Sequence, residues 1–188
     1  MRLHALLGLA LALGLALPAC RTERARCDEQ ASAQARPIDQ ALLAFLSRAR
    51  SAHHLADQAE SAEDLPRAAR ALSALVDGPL PHDEPNAPEV SEVLADTLAR
   101  LADFESRLGS YDAAAGHIAR GLERMPPTPT YFRGHLYEVS GLVEERRGDA
   151  LAARGDTDAA ALARNKALHE LETAMQIQAA VIEANPPP

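Results

Sequence analysis

The chain lacks tryptophan, and aromatic residues make up only 3% of its 188 residues. Valine and isoleucine together number 10. Because β-sheets are enriched in aromatic and β-branched side chains, this scarcity argues against a sheet-rich fold. Alanine (40 residues) and leucine (27 residues) dominate instead, and this mixture favours helix. With a hydrophobic content of 47%, the composition predicts an ordered, all-α protein.

Basic residues are in the minority, with 19 Lys+Arg against 27 Asp+Glu and a formal net charge of −8. Proteins that bind nucleic acids need a basic face for the phosphates, so the excess of acidic residues argues against a nucleic-acid partner. Like charges do not collect into a long run, which argues against a charged interaction tail.

Catalytic motifs are also missing. The sequence contains neither a glycine-rich phosphate-binding loop nor the pattern Gly-x-Ser-x-Gly. His82, Asp83 and Glu84 are potential metal ligands, but adjacent residues rarely converge on one metal, and no pair of histidines at helical spacing accompanies them. We therefore predict that the protein is not an enzyme and has no metal, no cofactor and no identified small-molecule substrate.

The N-terminal segment predicts a signal peptide over residues 1–19. Arg2 supplies a positive start, and Leu3 to Leu17 form a nearly unbroken apolar run that is short for a membrane span. The run ends at Leu17-Pro18-Ala19-Cys20, which resembles the lipobox of bacterial lipoproteins.

This resemblance implies cleavage between Ala19 and Cys20 and lipidation of the Cys20 thiol. Two or three acyl chains, at roughly 0.8 kcal/mol per buried CH₂, anchor a protein stably to a membrane. We expect a location in the bacterial cell envelope, with the periplasmic face of the outer membrane favoured because Arg21, not Asp, follows Cys20. The alternative is an ordinary signal peptide, which leaves Cys20 as a free thiol or in a disulfide with Cys27.

Residues 20–37 are interpreted as a lipidated cysteine followed by a flexible tether, because this stretch has almost no large apolar side chain to bury. Beyond it, apolar residues at spacings of three and four predict six helices over residues 38–185. Short glycine turns alternate with longer proline-containing breaks. The pattern therefore predicts three helical hairpins at about residues 38–77, 88–125 and 130–185.

One stretch of this helical region, from Ala95 to Thr128, resembles a tetratricopeptide repeat. The matching positions are the first-helix contacts, the turn, the second-helix contacts and the final proline: Leu98, Leu101, Ala102, Gly109, Tyr111, Ala114, Ile118, Gly121 and Pro126. The resemblance implies an all-α fold with three hairpins stacked as a short right-handed solenoid. A generic all-α bundle is the alternative.

In tetratricopeptide proteins the first helix of each hairpin lines a concave surface that binds peptides or protein segments. The resemblance implies that the groove here is lined by Asp96, Ala99, Asp103, Arg107, His135, Glu138, Leu142 and Glu145. This set is acidic and favours a basic or amide-rich partner. The alternative for each residue is an ordinary exposed helix position.

Two functions follow. The first is a lipid-anchored envelope scaffold that binds a protein partner in the groove and contacts the membrane through its anchor. The second is a structural helical-bundle lipoprotein packed into an envelope complex with no exchangeable ligand. Glu144-Glu145-Arg146-Arg147 is interpreted as a solvated face with local ion pairs, with a partner-binding patch as the alternative.

Overall fold

The computed structural model describes residues 39–81 and 87–186. Within these ranges the chain forms six α-helices and no strand, which confirms the all-α prediction. The helices are α1 (Gln40–Ser61), α2 (Leu65–Val76), α3 (Pro88–Arg107), α4 (Tyr111–Arg124), α5 (Tyr131–Ala153) and α6 (Thr157–Ala184). The predicted signal peptide, Cys20, Cys27, the tether and His82–Glu84 lie outside the described residues.

Side-chain caps and left-handed glycines set the helix ends. Asp39, Asp64, Thr130 and Asp156 each accept hydrogen bonds from backbone N–H groups in the first turn of the following helix. Gly109 and Gly155 both have φ +83°, a conformation that glycine adopts without steric cost. These two glycines allow α3 to turn directly into α4, and α5 into α6.

The helices contact one another in sequence order. α1 contacts α2, α3 contacts α4, and α5 contacts α6, so that the chain forms three antiparallel pairs. α2 also contacts α3 and α4 contacts α5, while α1, α3 and α5 lie beside one another in that order. Among the described helices, neither member of the first pair contacts the third pair.

The core follows this linear order in three clusters. The first two join the first pair to α3, one around Phe45, Leu75 and Leu94, and one around Leu72 and Phe104. The third joins α3, α4 and α5 and contains Ala95, Ala99, Ala102, Ala114, Ile118, Met125, Leu136, Val139 and Val143. Each apolar seam therefore connects neighbouring hairpins and stabilises their stacking.

Small residues allow the two helices of the third pair, α5 and α6, to pack closely. Gly134, Gly141 and Gly148 recur every seven residues of α5 and face α6. A Cβ placed on Gly141 would lie 2.6 Å from Leu171 Cγ and 3.1 Å from the backbone oxygen of Ala167. The two helices therefore approach more closely here than side chains on both surfaces would allow.

Candidate functional site

The first helices of the three pairs are linked to one another by ion pairs on one side, which is called here the inner face. Its members on α1, α3 and α5 that are not buried are Ser47, Arg50, His54, Asp57, Asp96, Arg100, Asp103, Arg107, His135, Glu138, Leu142 and Glu145. On α1, an open groove of about 630 Å³ is lined by Ser47, Arg50, Ser51, His53, His54 and Asp57. α3 lies between α1 and α5 and contacts both.

Ion pairs connect α1 to α3 across the inner face. Arg100 Nη2 lies 2.5 Å from Asp57 Oδ1 and 3.2 Å from Glu60 Oε2. Arg107 Nη1 lies 2.5 Å from Glu60 Oε1. The hydrogen bond from Arg107 lowers the pKa of Glu60 and, in turn, raises the pKa of Arg107, so both groups stay charged at neutral pH.

A second link connects α3 to α5. Arg146 Nη1 lies 2.8 Å from Asp103 Oδ1 and donates a 2.7 Å hydrogen bond to Ser106 Oγ. The Ser106 hydroxyl itself donates to the backbone oxygen of Asp103 at 2.8 Å. Together with the α1–α3 pairs, this link holds the first helices of the three hairpins in register.

His53 makes a half-buried polar contact between the first two hairpins. Its Nε2 lies 2.9 Å from Thr97 Oγ1, and that hydroxyl donates to the backbone oxygen of Val93 at 2.6 Å. The hydroxyl proton is therefore used by Val93, so Nε2 is the donor to Thr97. Burial, assisted by the nearby Arg100, lowers the pKa of His53 against the opposing effect of Asp96, and the ring is neutral at pH 7.

The predicted groove residues have different environments. Asp96 is half-buried and Glu145 is exposed, and neither forms an ion pair with a described residue. Asp103 and Arg107 lie on the same face, but the pairs described above neutralise them. Free negative charge on the inner face is therefore provided by Asp96 and Glu145 and not by Asp103.

Ala99 requires a correction. It is 0% exposed and belongs to the cluster that joins α3 to α5, so it cannot line a groove. Ala99 and Asp96 are three residues apart on α3, which leaves them about 60° apart around the helix axis. That rotation is enough to turn Ala99 toward α5 while Asp96 faces solvent.

Two of the predicted residues on α5, His135 and Glu138, contact each other. His135 Nδ1 lies 3.4 Å from Glu138 Oε2, and Gln178 Nε2 of α6 donates to the same oxygen at 3.4 Å. The Tyr131 ring stacks on His135, with 6.0 Å between the ring centroids and 8° between the planes. Leu142 is half-buried beside this group and supplies an apolar position on the inner face.

The stretch Glu144-Glu145-Arg146-Arg147 is not a solvated face with local pairs, because three of its four charged side chains pair with other helices. Glu144 is 3% exposed and accepts a 2.8 Å hydrogen bond from Lys166 Nζ of α6. Arg146 pairs with α3, and Arg147 pairs with Asp112 of α4. Glu145 alone of the four is exposed.

Sequence reasoning missed the contribution of α1 to this surface. Arg50, His53, Asp57 and Glu60 recur at spacings of three and four, which places them on one side of the helix, next to the buried stripe of Phe45, Ala49, Ala52, Ala56 and Ala59. The spacing of these polar residues can be read from the sequence. Its pairing with α3 depends on whether the first hairpin stacks on the second, which periodicity alone does not determine.

No family model, no curated protein and no solved structure matches this chain. Within the described ranges, no helix is both long enough and apolar enough to cross a membrane. The same residues contain no group of three or more His, Cys, Asp or Glu side chains placed to hold a metal ion.

Proposed function

We propose that the protein is a lipid-anchored scaffold of the bacterial cell envelope, in which a short right-handed stack of tetratricopeptide-like hairpins binds a basic or amide-rich segment of a partner protein. The observation that carries the proposal is the linear order of helix contacts, with α1, α3 and α5 side by side. A closed bundle would bring the first pair against the third. The observed order instead favours a stack with one open side.

The charge of the inner face supports a basic partner. Asp96 and Glu145 form no ion pair with a described residue, and Glu138 is bonded only to His135 and Gln178 within the described chain. Arg100, Arg107 and Arg146 are paired with carboxylates of neighbouring helices, whereas Arg50 on α1 forms no ion pair with a described residue. A positively charged or amide-rich segment would complement the unpaired carboxylates, and the charge would also accelerate encounter.

The anchor in this proposal rests on the sequence at Leu17-Pro18-Ala19-Cys20. A protein modified there would yield an N-terminal peptide that begins at Cys20 and carries the mass of a diacylglyceryl group. Mass spectrometry of the protein from its membrane fraction tests this part directly. A peptide with an unmodified Cys20 would remove the anchor from the proposal.

The groove is tested by affinity capture from envelope extracts, with Asp96→Lys/Glu145→Lys compared with the wild-type chain. Both residues are unpaired, so the reversal changes the surface without breaking an inter-helix pair. We expect the variant to lose most of the captured partner. The matched control is Glu123→Lys/Asp158→Lys, which reverses two exposed charges on α4 and α6, outside the inner face. Equal capture by both variants would reject the groove.

The second candidate function is a structural lipoprotein packed permanently into an envelope complex. One observation favours it: Leu168, Met175 and Ile182 on α6 are 60%, 68% and 71% exposed. Such a surface is typical of a fixed apolar interface. Under this alternative, a charge introduced at Met175 would release the partner, and reversal of Asp96 and Glu145 would not.

A further inference from the structure

Several aromatic rings of this chain lie under one of its own arginines. The chain has three Phe and three Tyr residues and no Trp. Four of these six rings have a guanidinium carbon 5.3–5.8 Å from the ring centroid: Phe45 with Arg48, Phe104 with Arg100 and Arg107, Tyr111 with Arg147, and Tyr137 with Arg133. The contact is electrostatically favourable, and arginine forms it more often than lysine. A guanidinium is therefore the group that repeatedly covers an aromatic face in this fold.

The two remaining rings differ in exposure. Phe132 packs against the core cluster that joins α3, α4 and α5. Tyr131, the first residue of α5, is 58% exposed, and no arginine of the described chain lies over its ring. Phe132 meets the Tyr131 ring edge to face, with 5.3 Å between centroids and 80° between planes, which restricts the ring. Tyr131 therefore presents a held aromatic face that the described chain leaves uncovered.

A carboxylate lies on the same side of α5. His135 follows Tyr131 by four residues and Glu138 follows it by seven, about one and two helical turns. The Tyr131 and His135 rings are nearly parallel, and His135 Nδ1 lies 3.4 Å from Glu138 Oε2. Gln178 donates to the same Oε2, so Oε1 of Glu138 accepts no hydrogen bond from a described residue. Tyr131, His135 and Glu138, called here the α5 cluster, therefore combine two stacked rings with an available carboxylate oxygen.

We infer that the α5 cluster binds one arginine side chain of the partner segment. A guanidinium is planar and always charged, so it can stack on the rings of Tyr131 and His135 and donate N–H groups to Oε1 of Glu138. A lysine ammonium carries the same charge but has no flat face and is more strongly hydrated. The inference rests on the proposed function, since the segment bound in the groove supplies the arginine. It narrows the basic partner to one that carries arginine where it meets α5.

The arginines of α5 itself have other partners. Arg133 lies over Tyr137, Arg146 pairs with Asp103 of α3, and Arg147 pairs with Asp112 of α4. Gln178, the α6 residue that contacts the cluster, is uncharged. Within the described chain, the carboxylate of Glu138 therefore has no ion pair except its contact with His135. The cluster is complementary in charge and shape to a guanidinium supplied by another molecule.

The test uses two fluorescein-labelled peptides of equal length and charge, nona-arginine and nona-lysine, and the full chain purified in an uncharged detergent. Fluorescence anisotropy gives the dissociation constant of each peptide. Tyr131→Leu removes the aromatic face, and it should raise the constant of nona-arginine by about 3–5-fold and that of nona-lysine by less than about 2-fold. The matched control is Tyr131→Phe, which keeps the ring and should leave both constants within about 2-fold of the wild-type values.

Glu138→Gln tests the carboxylate of the cluster. Both peptides should bind more weakly because each loses a charged partner, and nona-arginine should lose more, by about 2–5-fold. The matched control is Glu123→Gln, which removes one exposed charge on α4, outside the inner face. This control should change the constants of the two peptides equally.

The ratio of the two dissociation constants decides the inference. If Tyr131→Leu leaves this ratio at its wild-type value, or if Glu138→Gln changes it no more than Glu123→Gln does, the inference is overturned. The groove is judged separately, because Asp96→Lys/Glu145→Lys leaves the α5 cluster intact. Loss of capture in that variant with an unchanged ratio in Tyr131→Leu would reject the arginine and keep the groove. Unchanged capture in that variant would reject the groove and, with it, the segment that supplies the arginine.

Discussion

The close approach of α5 and α6 leads to a sharp prediction about two glycines that occupy helix interiors. At Gly116 of α4, an added Cβ would meet nothing within 4 Å. At Gly141 of α5, the same atom would lie 2.6 Å from Leu171 Cγ, 2.9 Å from Leu171 Cδ2 and 3.1 Å from the backbone oxygen of Ala167. Leu171 would have to leave its rotamer to clear the new atom, and the Ala167 oxygen belongs to the backbone and cannot move without shifting α6.

Replacing an exposed helical glycine by alanine adds about 0.5–1 kcal/mol of stability. Gly116→Ala should therefore raise the melting temperature by about 1–4 °C. Gly141→Ala gains the same helix propensity, but overpacking costs about 1–3 kcal/mol. Because the added Cβ contacts backbone, we expect a cost near the upper end of this range. We therefore expect a net loss of about 1–2 kcal/mol and a lower melting temperature.

The assay is urea unfolding of both variants, followed by circular dichroism at 222 nm, with the slope of the transition compared to verify that unfolding stays cooperative. Gly116→Ala should raise the urea concentration at the unfolding midpoint, and Gly141→Ala should lower it. If Gly141→Ala stabilises the protein as much as Gly116→Ala does, α5 and α6 are not in close contact at Gly141.

Three further predictions concern titratable side chains that are partly buried or paired. The pKa of Glu60 is lowered in the folded state, so its ion pairs stabilise the fold above pH 4.5, the ordinary value, and this stabilisation is lost as pH falls through the folded pKa. Glu60→Gln should lower the free energy of unfolding at pH 7 by about 0.5–1 kcal/mol. In urea unfolding from pH 7 to 3, the variant should also lose less of this free energy than the wild-type chain does. The pKa of His53 is lowered from 6.5, so below pH 6.5 the unfolded chain binds the proton more readily than the folded chain, and the free energy of unfolding falls. His53→Gln should therefore lose less unfolding free energy than the wild-type chain between pH 7.5 and 5.5. The same dependence of unfolding free energy on pH in both proteins would contradict this. Lys166→Met removes the partner of Glu144, whose side chain is 4% exposed, and should cost about 1–3 kcal/mol in chemical unfolding, with partial recovery when Glu144→Gln is added.

Much of the fold was predictable because helix periodicity and helix-ending residues are local signals. Asp64, Gly109 and Gly155 mark ends that depend on the backbone within a few residues. The alternation of short turns and long breaks also predicted which helices pair. These features require no knowledge of distant contacts, which explains why the six helices agree with the structure.

The side-chain partners were not predictable, because they depend on how helices lie against each other. Arg146 bonds to a carboxylate 43 residues earlier, at Asp103, and Glu144 is buried by α6 and not exposed beside Glu145. The periodicity of α5 alone does not place either contact. Ala99 shows the same limit, since a rotation of about 60° separates a groove position from a core position.

The most direct test of the proposed scaffold is site-specific photo-cross-linking in cells that produce the full chain. A photoreactive residue at Leu142 lies on the inner face, and one at Ala119 is exposed on α4, away from that face. The scaffold predicts a cross-link from position 142 to a protein segment rich in basic or amide side chains, and none from position 119. No cross-link from position 142, or equal cross-links from both positions, would contradict binding in the groove.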